Sequence, residues 1–162
     1  MDQLAQDAQA LVQVIDAGRA AHDVRFDCQF EGEIAGVAQE LHSAMGNLVS
    51  NAIRYTPAAG RIDVSLKSSA DGRVVFEVSD SGPGIDAEHL PRLTERFYRV
   101  DRSRSRETGG TGLGLAIVKH VVQRHGATLG IESTPGRGSS FRITFALSHL
   151  RQVDQRRCFS NK

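Results

Sequence analysis

The chain has 162 residues, of which 40% are hydrophobic and 24% charged, a composition typical of one globular domain with a core of ordinary size. Twenty Lys and Arg residues against nineteen Asp and Glu residues leave a formal net charge of +1, so no domain-wide field favours binding to nucleic acid or to an anionic membrane. The two cysteines match neither a disulfide framework nor metal-ligand spacing, and no apolar run is long enough to span a membrane.

The first half of the chain is predicted to contain two helices and three strands. Apolar residues recur at helical spacing over residues 4–15 and stop before Gly18. The segment VRFDCQF then alternates apolar and polar residues, as a half-buried strand does. A second helical stripe runs from Gln39 to Tyr55 and is ended by Pro57. The alternating segments RIDVSLK and RVVFEVS follow as two strands joined by a hairpin turn at Asp71-Gly72.

The second half begins with a long segment of weak periodicity, from Asp80 to Thr111, whose end is polar and rich in arginine. Such a stretch in a small domain is more often functional than filler. A helix is then predicted to end near His125-Gly126, followed by strands at TLGIES and FRITFAL with the turn TPGRGSS between them. These elements predict an α/β (α+β) two-layer sandwich, with a mixed, mostly antiparallel sheet of about five strands covered on one face by about three helices.

The segment GGTGLGLAIVKH, residues 109–120, places a glycine cluster directly before the last predicted helix. It matches neither the phosphate loop G-x-x-x-x-G-K-[ST] nor the dinucleotide fingerprint G-x-G-x-x-G. Glycines at a helix start nevertheless leave main-chain N–H groups open to a polyphosphate at the positive end of the helix dipole. The alternative is a flexible hinge with no ligand.

The segment NLVSNAIRY places Asn47 and Asn51 four residues apart, so that their amides share one face of the predicted helix. Amide oxygens suit a hard cation such as Mg²⁺, which takes few protein ligands together with phosphates and water. Arg54, one turn later, would then reach a phosphate, and Tyr55 would offer its ring to a base. The alternative is that both asparagines are ordinary polar residues at the solvent boundary.

The segment DSGPGI follows the strand RVVFEVS. Asp80 has the chemistry to accept a hydrogen bond from an exocyclic amine, and Gly82 and Gly84 allow main chain to approach a flat ring. The same residue types are also those that an ordinary tight turn prefers.

Taken in order, NLVSNAIRYTP, DSGPGI, TERFYRVD, GGTGLGLAIVKH and GRGSSF resemble the five conserved boxes of the ATP-binding catalytic domain of sensor histidine kinases. That domain belongs to a superfamily shared with gyrase, a heat-shock chaperone and mismatch-repair ATPases. The resemblance covers roughly Val24 to Leu147, and RLTERFYRVDRSRSRETGG is most similar to the members that respond to phosphate starvation. It implies the fold just described and ATP and Mg²⁺ as ligands.

The resemblance also implies roles for individual residues. Asn51 is implied to be the main Mg²⁺ ligand, Asn47 to lie next to the metal and phosphates, and Arg54 to meet phosphate, so that these three carry the catalysis. Tyr55 is implied to contact the adenine and Asp80 its amine. The other residues implied to contact the nucleotide are Gly82, Gly84, Ile85, Phe97, Tyr98, Arg99, Gly110, Thr111, Gly112, Leu113, Gly114, Leu115, Ser139, Ser140 and Phe141. The segment from about Phe97 to Gly109 is implied to be a mobile lid.

By the same resemblance the chain is expected to be a protein-histidine kinase that transfers the γ-phosphoryl group of ATP. In the hydrolysing relatives, a glutamate that activates water stands at the position of Asn47. An amide takes up no proton at neutral pH, which disfavours hydrolysis by that residue. None of the six histidines stands in the H-E-[LF]-[RK]-[TS]-P setting of a phosphoacceptor, and His120 and His125 are interpreted as positions on the faces of the last helix.

The chain is therefore expected to be the catalytic part of a longer kinase that phosphorylates itself little. Residues 1–20 are interpreted as a linker helix from a missing dimerisation and phosphoacceptor domain, residues 21–148 as the catalytic domain, and residues 149–162 as a polar tail. The expected partners are ATP, that helical domain and, indirectly, a response regulator, with no nucleic acid and no direct membrane contact. The fragment is expected to be cytoplasmic, in a parent protein anchored in the inner membrane. The alternatives are a stand-alone ATP-binding regulator, such as an anti-sigma serine kinase, and a non-catalytic nucleotide sensor.

Overall fold

The computed structural model describes residues 22–30, 32–100 and 113–146, together with the backbone of 150–151. The helix predicted at residues 4–15 and most of the arginine-rich segment lie outside the described residues. The described elements in chain order are β1 Asp23–Cys28, β2 Glu33–Ile34, α1 Ala38–Tyr55, β3 Arg61–Ser68, β4 Val74–Asp80, a 3₁₀ turn Leu90–Arg92, α2 Gly114–Arg124, β5 Thr128–Thr134, β6 Gly138–Phe145 and β7 Leu150–Arg151.

Five strands form one sheet in the order β1-β3-β4-β6-β5. β1 runs parallel to β3, and the other three pairs are antiparallel, which confirms the predicted mixed, mostly antiparallel sheet. The hairpin between β3 and β4 turns at Gly72, whose φ of 85° suits the residue with no side chain. The register sets Asp80, the last residue of β4, between Ile62 of β3 and Ser139 of β6.

Strand β1 departs from the predicted alternation. Val24 is buried, whereas Phe26 is 40% exposed and Cys28 is also exposed. β1 is the edge of the sheet and pairs only with β3, so its far end receives less cover than the central strands do.

The hydrophobic core lies between one face of the sheet and the two α-helices. It is built from alternating residues of the central strands and from one stripe of each helix. The most deeply buried large side chains are Leu48, Ile62, Phe76, Ile143 and Phe145. Each contributes about 1.5–3 kcal/mol relative to exposure. Two α-helices are described on this face, one fewer than expected for the whole chain.

Helices α1 and α2 run antiparallel and are joined at one end by His125. The main-chain N–H of Val37, which precedes α1, donates to Nε2 of His125 over 3.0 Å. The other ring nitrogen, Nδ1, donates to the carbonyl of Val121 over 2.8 Å. His125 is the C-terminal cap of α2, directly after its last residue, and its side chain is buried. At the opposite end of the pair, α1 carries Asn47 and Asn51 beside the start of α2.

The two-residue strands β2 and β7 pair antiparallel, with Ile34 opposite Leu150. The sequence analysis did not predict this ladder, because two residues are too few to show a period, and it included β7 in the polar tail. Among the residues that the structure describes, no helix has both the length and the apolar character that a membrane span requires.

Candidate functional site

A cavity of about 480 Å³ opens between the end of α1, the loop after β4, the segment before residue 101 and the start of α2. Most of the side chains predicted to bind a nucleotide line it. They are Asn47, Asn51, Arg54, Tyr55, Asp80, Gly84, Ile85, Tyr98, Arg99, Leu113, Gly114, Leu115 and Ser139. A second cavity of about 470 Å³, between α2 and β5, is lined by none of them. The predicted residues therefore converge on one site although they come from five separate stretches of chain.

The amide oxygens of Asn47 and Asn51 face the first residue of α2. A β-carbon on Gly114 would lie 3.1 Å from Oδ1 of Asn47 and 3.9 Å from Oδ1 of Asn51. The amide nitrogen of Asn47 donates to the carbonyl of Ser43 over 2.8 Å, and this bond fixes which way the side chain is turned. Two neutral oxygen donors close together are a ligand set that fits Mg²⁺.

The start of α2 is suited to an anion. The first hydrogen bond of the helix is donated by Ile117 to Leu113 over 3.0 Å, so the N–H groups of Gly114, Leu115 and Ala116 have no partner within the helix. Leucine at position 113 has no side-chain oxygen with which to cap them. Because the helix dipole is positive at this end, a phosphate beside Gly114 would be favoured.

Asp80 lines the cavity from the end of β4, opposite Ser139 of β6. Burial raises the pKa of its carboxyl group above the ordinary aspartate value, and hydrogen bonds from the main-chain N–H groups of Gly82 and Ser139 lower it part of the way back. The bond from Gly82 reaches Oδ1 over 2.9 Å. A partly buried carboxylate with fixed geometry is a specific acceptor for an amine.

The loop that follows Asp80 is held tightly against the turn between β5 and β6. Gly136 donates to the carbonyl of Pro83 over 2.7 Å, and Ile85 donates to Oγ of Ser133 over the same distance. Gly84 has a φ of +73°, and a β-carbon there would stand 2.3 Å from the carbonyl oxygen of Thr134. Only glycine fits this position, so the DSGPGI segment forms one rigid wall of the cavity.

The remaining walls are mostly apolar, and sequence reasoning missed most of these residues. Apolar side chains carry no chemical signal that separates a ligand wall from the core. Their composition suits a flat aromatic ring. The missed residues that line the cavity are Ala52, Pro83, Leu93, Val100 and Ile117. Phe141, which was predicted, lines it as well.

Three of the predicted residues that the structure describes do not line the cavity. Gly82 is buried behind Asp80 and acts on it through the N–H bond. Phe97 is 71% exposed and turns away. Ser140 points to the opposite face of the sheet, where its hydroxyl lies 3.1 Å from that of Ser79, because successive residues of a strand face opposite sides. Gly110, Thr111 and Gly112 lie outside the described residues.

Tyr98 lines the cavity, and two neighbouring side chains hold it in place. Its hydroxyl lies 2.5 Å from Nδ1 of His89, and the guanidinium of Arg92 stacks 4.4 Å from the centre of its ring. The start of the predicted lid is therefore anchored to His89 and Arg92.

Comparison with known proteins agrees with the family resemblance of the sequence motifs. The family described as "Histidine kinase-, DNA gyrase B-, and HSP90-like ATPase" matches residues 36–149. The chain is 49% identical over 150 residues to the phosphate regulon sensor protein PhoR of Pseudomonas aeruginosa, covering 93% of this chain and 32% of that protein. It is 47% identical over 120 residues to PhoR of Haemophilus influenzae, covering 74% of this chain and 28% of that protein. The chain thus spans a third or less of the length of these curated relatives.

Solved structures agree on the fold. The mycobacterial sensor histidine kinase MprB superposes with a TM-score of 0.71 at 25% identity, covering 85% of this chain and 93% of that one. Full-length ShkA in complex with AMPPNP gives a TM-score of 0.70 at 24% identity, covering 94% of this chain and 30% of that one. With the family match over most of its length, the chain belongs to the histidine kinase-, DNA gyrase B- and HSP90-like ATPase family, as an ATP-binding catalytic domain of its sensor histidine kinase branch.

Proposed function

We propose that this chain binds Mg²⁺-ATP in the 480 Å³ cavity and transfers the γ-phosphoryl group to a histidine on a separate helical domain of a longer protein, in signalling of phosphate starvation. The observation that supports it most directly is that Asn51, Asp80 and Gly114 line the same cavity. These residues supply a metal ligand, a hydrogen-bond acceptor for the adenine amine and a phosphate-binding helix end. A magnesium nucleotide is the ligand that needs all three.

The base end of the site is the pocket around Asp80. We assign its carboxylate to accept a hydrogen bond from the adenine amine, while Gly84 and Ile85 let the ring lie against main chain. Tyr55, 48% exposed at the rim, would cover the ring from the solvent side. The apolar walls exclude water from the faces of the base, which strengthens the single polar contact.

The phosphate end is the junction of α1 and α2. Asn51, with Asn47 beside it, would hold Mg²⁺, which when bound neutralises charge on the phosphates. The N–H groups at the start of α2 would bind phosphate oxygens, and Arg54 and Arg99, which line the same cavity, would add positive charge. Phosphoryl transfer depends chiefly on such positioning and charge neutralisation.

Transfer to histidine is favoured over hydrolysis because the described residues that line the phosphate end include no carboxylate able to take a proton from water. Among the described residues that line the cavity, Asp80 is the only carboxylate, and it is assigned to the adenine. Asn47 at the phosphate end cannot accept a proton from water. An imidazole near its ordinary pKa of about 6.5 is mostly neutral at pH 7 and attacks without a base.

The parent protein is proposed from the relatives. PhoR is named a phosphate regulon sensor protein, and the chain matches less than a third of it. We therefore propose a parent anchored in the inner membrane, with this domain in the cytoplasm, a helical phosphoacceptor domain as its direct partner and a response regulator downstream.

The test combines the chain, Mg²⁺ and labelled ATP with the histidine-bearing helical domain of a phosphate-responsive sensor kinase. Acid-labile, base-stable phosphate should appear on the helical domain and should disappear when its acceptor histidine is replaced. Acid-stable phosphate on a serine of another protein would favour an anti-sigma type kinase instead. Tight ATP binding with no transfer to any helical domain offered would favour a nucleotide sensor.

A further inference from the structure

Thr56 is the first residue after α1, and its side chain is only 4% exposed. Its main chain is fully engaged: the N–H donates to Ala52 over 3.0 Å, and the carbonyl lies 2.7 Å from Nε2 of His22. Its hydroxyl is buried, and no group among the described residues hydrogen-bonds it. Leaving a buried hydroxyl unpaired costs about 1–3 kcal/mol, so native structures nearly always pair such a group.

The hydroxyl shares a small polar space with two other oxygens. The point at which a β-carbon on Gly82 would stand is 2.8 Å from Oδ1 of Asp80, 3.3 Å from the carbonyl oxygen of Tyr55 and 3.5 Å from Oγ1 of Thr56. Tyr55 is the last residue of α1, so its carbonyl has no partner within the helix. Because residue 82 has no side chain, all three oxygens border the same space.

We propose that Thr56 is a positioning residue for Asp80 and that it acts through one buried water molecule. The three groups give a water three hydrogen bonds: the Thr56 hydroxyl donates to it, and its two hydrogens go to the Asp80 carboxylate and to the Tyr55 carbonyl. Buried waters typically make about three such bonds to otherwise unpaired groups. Thr56 does not line the nucleotide cavity, so this water lies behind the carboxylate and not against the base.

The water has a direct effect on the carboxylate. Burial raises the pKa of Asp80, which disfavours the charged form. A water that donates to Oδ1 favours the charged form and, with the N–H of Gly82, fixes the rotation of the carboxyl group. The inference rests on the proposed role of Asp80 as the acceptor for the adenine amine.

The experiment compares two ligands in the presence of Mg²⁺: ATP and purine riboside triphosphate, which lacks the amine. The variants are Thr56→Val, which has the same shape without the hydroxyl, and Thr56→Ser, which keeps the hydroxyl. Thr144→Val is the matched control, because Thr144 lies on the face of β6 opposite to Ser139 and does not line the nucleotide cavity. In Thr56→Val the preference for ATP should fall about 3–10-fold, the effect of weakening one hydrogen bond. Thr56→Ser should restore it.

Each outcome separates this inference from the proposed function. A wild-type chain that binds both nucleotides equally would overturn the assignment of Asp80 to the amine. A wild-type preference that Thr56→Val leaves intact, with a raised melting temperature, would mean that the hydroxyl is merely unpaired and would overturn the role of Thr56. Equal losses of both nucleotides in Thr56→Val would also overturn it. If Thr56→Val does not fold, Thr56→Ala provides the second test, because it also removes the hydroxyl and should reduce the same preference.

Discussion

Asn47 on α1 and Gly114 at the start of α2 face each other so closely that a β-carbon on Gly114 would stand 3.1 Å from the amide oxygen of Asn47. This contact joins the two motifs proposed to hold the metal and the phosphates. It also explains why a glycine is used in the first turn of a helix, where alanine has the higher helix propensity.

Gly114→Ala tests this contact. The new methyl group should push the amide of Asn47 aside and lower the affinity for Mg²⁺-ATP by about tenfold, as expected when one oriented metal-phosphate contact is disturbed. Gly46→Ala is the matched control, because a β-carbon at this other helical glycine meets nothing within 4 Å. Gly46→Ala should leave nucleotide binding unchanged and raise the free energy of unfolding by about 0.5–1 kcal/mol. Equal binding by both variants would contradict the proposed phosphate end of the site.

Asn51→Ala tests the metal ligand. ATP affinity measured by calorimetry should lose its dependence on Mg²⁺, with a fall of about tenfold or more at saturating metal, because Mg²⁺ keeps few protein ligands and each matters. Affinity measured in EDTA should be the same for variant and wild type. An unchanged response to Mg²⁺ would exclude Asn51 as a ligand.

Asp80→Asn separates binding from stability. ATP affinity should fall about 10–100-fold, because a charge-assisted hydrogen bond to the amine is lost. The free chain should nevertheless become more stable at neutral pH, because the variant removes a carboxylate whose burial raises its pKa. Solvent access to Asp80 limits this gain to about 1 kcal/mol or less.

The sign of the pH dependence follows from that raised pKa. The folded state keeps the proton of Asp80 to higher pH than the unfolded state does, so the wild type loses stability relative to Asp80→Asn as the pH rises above the ordinary value of 3.8. Denaturant unfolding at several pH values should show the two free energies converging at low pH. A difference in free energy that grows toward low pH would contradict the raised pKa of Asp80.

His125→Leu tests the joint between the helices. It removes both ring hydrogen bonds and the buried imidazole that receives the N–H of Val37, so the free energy of unfolding should fall by about 1–3 kcal/mol. His120→Leu, at an exposed position of the same helix, is the control and should change it by about 0.5 kcal/mol or less. Similar urea midpoints for the two variants would show that His125 does not hold α1 to α2.

The sequence predicted the two described α-helices and the five-stranded sheet well, because their apolar residues repeat at two distinct periods. The polar residues that line the cavity were predicted through the resemblance of their motifs, taken in order, to a known family. Ser139 and Ser140 show what composition alone misses. They are adjacent and chemically identical, yet only Ser139 faces the cavity, and this follows from the register that sets it opposite Asp80. The alternation along the strand indicated which serine faces inward, because Phe141, Ile143 and Phe145 are buried and lie on the same face of β6 as Ser139.

Other features had no local signal. The contact of His125 is with Val37, far away in sequence, and the surroundings of the Thr56 hydroxyl include Gly82, from a separate segment of the chain. Contacts of this kind arise from packing between elements, which no single stretch of chain records.

The most direct test of the central claim is a titration of the isotope-labelled chain with Mg²⁺ and a non-hydrolysable ATP analogue, followed by nuclear magnetic resonance. The side-chain amides of Asn47 and Asn51 and the main-chain amides of Gly82 and Gly114 should shift together, at one common dissociation constant. Shifts confined to Lys119, Gln123 and Ile131 around the second cavity, with Asn51, Gly82 and Gly114 unchanged, would contradict it.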